Sequence, residues 1–177
     1  MTGRRGILGA LGRLFRRPGA RVSSGRLRVA ETSPGSAGAF ATKFATKAVR
    51  PPRTLVLEYA PDADGAPDAG EIVWTWVPYA ENDGRGKDRP VLVIARASGE
   101  WFYALRLTGT PRDGDPNYLA MGSGPWDGRG RPSWLDLGKV YAVHTNGMRR
   151  EAAALDRARF DRAAAALRSR YGWSVGK

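Results

Sequence analysis

Arg89 stands directly before Pro90, between a polar glycine-containing loop and the apolar run Val91-Leu92-Val93-Ile94. Proline has no N–H to give to a β-ladder, so Pro90 is expected to open a strand. That places Arg89 at the loop–strand junction, its guanidinium carried on a short rigid approach. A planar fork that stays charged is a natural clamp for an oxyanion such as a phosphate, and its plainer use is a surface salt bridge with Asp88 or Asp83. A second group lies in the loop from Gly122 to Pro132, where Trp126 is followed by Arg129 and Arg131 among glycines. A large aromatic ring with two arginines on a flexible loop suits contact with unpaired nucleotide bases. The other five tryptophans (Trp74, Trp76, Trp101, Trp134 and Trp173) read as core or interface residues. The absence of cysteine excludes disulfides and thiolate metal sites, and the single histidine, His144, excludes a histidine-cluster metal site. His144 reads as a polar residue at a strand end, with proton transfer as its alternative use.

These groups need a frame, and the pattern from Thr54 onward is that of short strands. Leu55, Val56, Leu57 and Tyr59 suggest a first strand, and the stretch from Pro61 to Gly70 is an acidic, turn-rich linker. Strands follow at about 71–78, 90–96, 100–108, 117–122 and 133–143, with a tight hairpin at Ser98-Gly99. Trp101, Tyr103, Leu105 and Leu107 alternate with Phe102, Ala104 and Arg106 as on a half-buried strand. Residues 156–170 form the clear helix, with Asp156 as N-cap and a stripe of Phe160, Ala164, Leu167 and Tyr171. The result is a mainly β domain with a C-terminal helix.

The 177 residues are 42% hydrophobic and 26% charged, which suits one compact domain. The net charge of +12 is placed unevenly: residues 1–53 hold twelve Lys/Arg against Glu31 alone, and so carry +11 of it. This basic N-terminal arm calls for a polyanion or an acidic surface as partner. Ile7, Leu8, Leu11, Leu14 and Phe15 form an apolar helical stripe beside arginines, which would also suit an anionic membrane surface. A flexible, solvated tail is the plain reading. Phe40-Ala-Thr-Lys43 and Phe44-Ala-Thr-Lys47 repeat once, too few copies for a repeat architecture. Arg13 interrupts the apolar run that a secretory signal needs, although the Arg-rich, acid-poor composition is that of a transit peptide. No apolar run is long enough to span a bilayer, and a cytoplasmic location is expected. The expected divisions are an arm at 1–53, a strand and acidic linker at 54–69, and a barrel domain at 70–173.

Gly70-Glu71-Ile72-Val73-Trp74, followed after a polar loop by Arg89-Pro90-Val91-Leu92-Val93-Ile94, resembles the PemK/MazF family of toxin–antitoxin ribonucleases over about residues 70–170. The resemblance implies a small SH3-like barrel, a symmetric homodimer, and cleavage of single-stranded RNA through its 2′-hydroxyl without a metal or other cofactor. It also implies a cognate acidic antitoxin. Carried over residue by residue, it makes Arg89 the phosphate-binding arginine and Thr108 or Thr110 the hydroxyl that donates to a phosphate oxygen. On the residues alone, Thr108 satisfies backbone groups at a strand end. Asp136 falls where the family has an acid, placed to orient Arg89 or to accept from a base edge; on the residues alone it is an outward polar position. Arg85, Lys87 and Arg106, with Trp126, Arg129 and Arg131, make up the expected RNA-binding set. The sequence departs from the family at Gly84 and Arg85, where many members have Glu-Gln. A carboxylate for the general base is left to Glu81 or Asp83.

Two other readings stand beside the nuclease. One is a nucleic-acid-binding member of the same fold, DNA binding included, that has lost catalysis. The other is a protein-binding toxin, since a related barrel includes poisons of DNA gyrase and fold does not fix function.

Overall fold

The computed structural model describes residues 44–62, 67–81, 83 and 85–176. The features read in residues 1–43, including the Ile7–Phe15 stripe, lie outside the described residues. The described chain is a curled antiparallel sheet with one helix. Its centre is a meander of β3 (Glu71–Pro78), β4 (Gly86–Ser98) and β5 (Trp101–Thr108), flanked by β9 (Met148–Ala154) beyond β3 and by β8 (Val140–His144), then β1 (Lys47–Val49), beyond β5. The strands β6 (Tyr118–Gly122) and β7 (Ser133–Asp136) pair with each other, and β7 pairs with the end of β5. A short parallel pair, β2 (Val56–Leu57) with β10 (Ser174–Val175), lies apart.

β-Branched and apolar side chains run without interruption through Val91, Leu92, Val93 and Ile94, and all four are buried, so both faces of the sheet are covered. One core packs Ile72, Leu92, Leu105 and Leu107 with the helix; the other gathers Val73, Val91, Phe102 and Tyr141 on the opposite face. Register breaks between Val93 and Ala95, Arg96 and Ser98, and Ile72 and Trp74 add the bends from which a sheet curls. The curl brings Thr46, just before β1, back to β3, where its Oγ1 lies 2.8 Å from Thr75 Oγ1. The architecture is the expected mainly β, SH3-like barrel. The helix α1 (Arg157–Tyr171) is capped by Asp156, which accepts from Arg159 N at 2.9 Å, and it ends at Gly172, with φ 73°. Phe160, Ala163, Ala164 and Leu167 form its buried face.

Several boundaries differ from those read in the sequence. Residues 44–53, assigned to the arm, belong to the barrel: β1 pairs with β8, and Pro52 O accepts from Trp173 Nε1 at 2.9 Å. The strand read at 133–143 is two strands, because Asp136 Oδ1 accepts from Gly138 N at 3.0 Å and turns the chain. The hairpin loop is Gly99-Glu100, with Gly99 supplying the positive φ of 56°. The strand β9 was not anticipated, because Met148-Arg-Arg-Glu-Ala-Ala-Ala154 has no β-branched residue and its pairing with β3 decides it.

Candidate active site

β4 begins at Gly86, so Arg89 and Pro90 lie inside a strand rather than at its start. Arg89 sits opposite Thr75, and Pro90 opposite Trp74, in the ladder with β3. On the other side the ladder with β5 begins only at Val91, opposite Arg106. Continued by two residues, that register would set Pro90 against Leu107 and Arg89 against Thr108. Proline interrupts the ladder, and β4 and β5 part there. The gap is a recess of ≈ 250 Å³ with Arg89, Lys87 and Asp88 on one wall, Thr108, Gly109 and Thr110 on the other, and Trp74, Asp127, Arg131 and Ser133 completing its lining.

Among the described residues the half-buried Arg89 side chain has neither a hydrogen-bond nor an ion-pair partner. Burial pulls its pKa below the ordinary arginine value, and the charge of Arg106 pulls the same way. Such a cation lacks most of its hydration and has no counter-ion, an arrangement that a bound anion completes. Asp83, one anion expected to neutralise it, instead binds Arg85, accepting from Nε at 2.7 Å. The Asp83 carboxyl is thereby held below its usual range, first by the Arg85 side chain. Thr108 is buried, and its Oγ1 accepts from Thr110 N at 3.2 Å. That bond uses the oxygen as acceptor and leaves the hydroxyl hydrogen to donate elsewhere. Thr110 is exposed at the rim.

The remaining expected site residues divide. Lys87 and Arg131 line the recess, while Arg85 does not. Arg131 is tied to Asp127, with Nε at 3.0 Å, and Arg129 N donates to the other oxygen of that carboxylate at 2.8 Å. The Arg129 N–H, with help from Arg131, holds Asp127 below the usual carboxylate range against a weaker opposing effect of burial. Asp136 does not orient Arg89. It pairs with Arg106 at 2.7 Å, the two facing each other from β7 and β5. Burial alone would lower the Arg106 pKa, but Tyr141 and Asp136 outweigh it and raise it.

Trp126 is the clearest correction. It is 3% exposed, its Nε1 donates to Ser133 Oγ at 3.3 Å, and its carbonyl accepts from Trp74 Nε1 at 3.1 Å. A Cβ on Gly124 would fall 2.1 Å from the indole ring, so the glycine is there to admit the ring, and Trp126 presents no stacking face to solvent. His144 lies at the far end of β5, opposite Trp101, its Nδ1 accepting from Asn146 N at 3.1 Å and its ring 4.3 Å from that of Phe44. It is a structural residue remote from Arg89. Neither Glu81 nor Asp83 lines the recess; its carboxylates are Asp88 and Asp127.

Residues 68–170 match the sequence profile of PemK-like, MazF-like toxins of type II toxin–antitoxin systems. The chain belongs to this family. No curated protein matches it. Among solved structures, it is similar to an endoribonuclease in complex with its cognate antitoxin from a mycobacterial species, at 19% identity and a TM-score of 0.46, over 60% of this chain and 96% of that one. A further mycobacterial endoribonuclease is 17% identical, TM-score 0.44, over 63% and 97% of the two chains. MazE–MazF (Form-II) from Deinococcus radiodurans is 22% identical, TM-score 0.42, over 62% and 95%. β1 and β2 fall outside the segment that matches the family.

Sequence reasoning missed Trp74, Asp127 and Ser133 as lining of the recess. Asp127 carried a usable signal, since an acid four residues before Arg131 in a glycine-rich loop invites a local ion pair. Trp74 and Ser133 carried none, because only the parting of β4 from β5 exposes them to the same space.

Proposed function

We propose that the protein is an endoribonuclease that cleaves single-stranded RNA through the 2′-hydroxyl without a metal. One observation carries the reading: an uncompensated, half-buried Arg89 lines the same recess as Thr108, at a gap in the sheet, within a member of this toxin family. The scissile phosphate enters the recess. Arg89 clamps two of its oxygens and stabilises the charge that builds on them in the crowded transition state. Thr108 donates its hydroxyl hydrogen to one of them, and Lys87 and Arg131 hold the neighbouring phosphates. Asp127 is pinned in its ionised form and is therefore a weak base, which leaves Asp88 to take the proton from the 2′-oxygen. The attack of the 2′-oxygen on phosphorus forms a 2′,3′-cyclic phosphate and breaks the bond to the 5′-oxygen, which takes up a proton returned through water from Asp88 and leaves as a 5′-hydroxyl.

We further infer a cognate acidic antitoxin that covers this basic recess, a homodimer, and action in the cytoplasm. Incubation of purified protein with a long RNA in EDTA tests the central reading. Fragments ending in 2′,3′-cyclic phosphate are expected. Binding without cleavage would instead support the catalytically silent alternative, which the absence of a carboxylate from the 79–85 loop in the recess favours.

A further inference from the structure

Beside the recess is a second, larger cleft of ≈ 450 Å³, within the range of about 300–1,000 Å³ that small-ligand sites occupy. It is the unclosed seam of the barrel. β1 and β3 touch at Thr46 and Thr75, 2.8 Å apart, and the cleft lies between β1 and the chain that follows β3 at Tyr79. β1 pairs only with β8 among the described strands, so its other edge leaves backbone donors and acceptors for a ligand. Tyr79 and Lys139 line the cleft with the buried Tyr141, and among the described residues no carboxylate does. Lys47 also lines it, but its Nζ lies over the Trp101 ring at 5.5 Å, so Lys139 is the cation on offer. Thr46, which lines the cleft, meets Thr75, and Thr75 stands opposite Arg89 in the ladder of β3 with β4, so the seam adjoins the recess.

We propose that this seam, built partly from residues outside the family-matched segment, holds the nucleobase one step beyond the scissile dinucleotide of a single-stranded RNA. Tyr79 supplies the stacking face, Lys139 binds the adjoining phosphate, and the free edge of β1 reads the base through its backbone groups. This rests on the nuclease reading and extends it from the reacting phosphate to the flanking sequence.

The test compares a dinucleotide with a hexanucleotide as substrates for the wild-type protein, Tyr79→Ala and Lys139→Ala, each checked for folding by circular dichroism. Tyr79→Ala should raise KM for the hexanucleotide about tenfold with kcat retained, on the scale of one lost base stack. Lys139→Ala should raise it by a smaller factor, and neither should alter cleavage of the dinucleotide. A hexanucleotide abasic at the flanking positions should be cut alike by wild type and Tyr79→Ala. Variants that match wild type on the intact hexanucleotide overturn the seam and leave the nuclease standing. If the wild type cuts no RNA, the nuclease reading falls, and fluorescence anisotropy with the uncut hexanucleotide decides the seam: a tenfold loss of affinity in Tyr79→Ala sustains it, and equal affinity overturns it.

Discussion

Arg89 and Arg106 stand on the same face of adjacent strands, and the two regions treat their charge in opposite ways. Around Arg106 the ladder is continuous from β5 into β7, and Asp136 meets the guanidinium at 2.7 Å while also closing the turn at Gly138. Around Arg89 the ladder has parted at Pro90, and the cation faces a gap without an anion of its own. Burial and the charge of Arg106 lower the pKa of Arg89, whereas Tyr141 and Asp136 outweigh burial and raise that of Arg106. A neutralised arginine contributes to the fold. An unneutralised one costs the fold and gains its partner from outside. The comparison therefore predicts that the two positions fail differently when altered.

The largest effect is expected at Arg89. Arg89→Ala should lower the rate of RNA cleavage by about 10²–10³ or more, as for a lost oxyanion donor. Arg89→Lys should fail nearly as badly, because a point charge does not replace a bidentate fork. Thermal stability should be unchanged or slightly higher in both, since no partner is orphaned. Near wild-type cleavage by Arg89→Ala would remove the assignment.

Asp136→Ala should show the reverse pattern. It leaves a half-buried guanidinium uncompensated and opens the turn at Gly138, at a cost of about 3 kcal/mol. For a chain of this size that lowers Tm by roughly 6–12 °C. The double variant Arg106→Met with Asp136→Leu should recover much of the loss, because it removes both buried charges together. Calorimetry of the three proteins decides this, and an Asp136→Ala protein that is fully stable but inactive would move Asp136 into the catalytic group.

The same contrast explains what was legible beforehand. Alternation and turn residues placed β3, β5 and α1 well, since each has a strong period and clear ends. Pro90 was read as opening a strand, but a strand has two edges: the proline ends only the ladder with β5, and β3 carries β4 back to Gly86. That distinction depends on which neighbour lies on which side, and local sequence does not hold it. Trp126 sits among glycines that suggest mobility, yet Gly124 is there to let the ring fold inward. β1 is three residues long and exists because β8 offers an edge. Arg89 and Thr108 were found together only through the family resemblance, nineteen positions apart; the parted ladder supplies the physical reason that they line one recess.

Thr108 sharpens the comparison at a smaller scale, because it serves both sides. Its oxygen accepts from Thr110 N, a service to the fold, and that bond leaves its hydrogen for the phosphate contact proposed above. Thr108→Val should cost about 1 kcal/mol of stability by leaving that N–H unpaired. It should lower cleavage about tenfold, on the scale of one hydrogen bond to a charged group. Thr108→Ser should restore both. A rate loss without a stability loss would place the hydroxyl wholly in the site.

The smallest effect concerns the loop that carries Arg131 to the recess. Asp127 holds this loop through Arg129 N and Arg131, and its pKa is depressed on folding. A depressed carboxylate stabilises the fold at pH above its unfolded value of about 3.9, and the contribution is lost as pH falls through the folded value. Between pH 5 and 9 the tie is therefore constant. Any bend in the pH–rate profile across that window reports the groups that move protons, and not the loop. Arg131 is exposed and its ion pair is screened, so Asp127→Asn should raise KM for RNA less than threefold at pH 7. It should leave kcat and the shape of the profile unchanged. A bend that disappears in Asp127→Asn would show that this carboxylate exchanges protons during turnover, and would transfer to it the role proposed for Asp88.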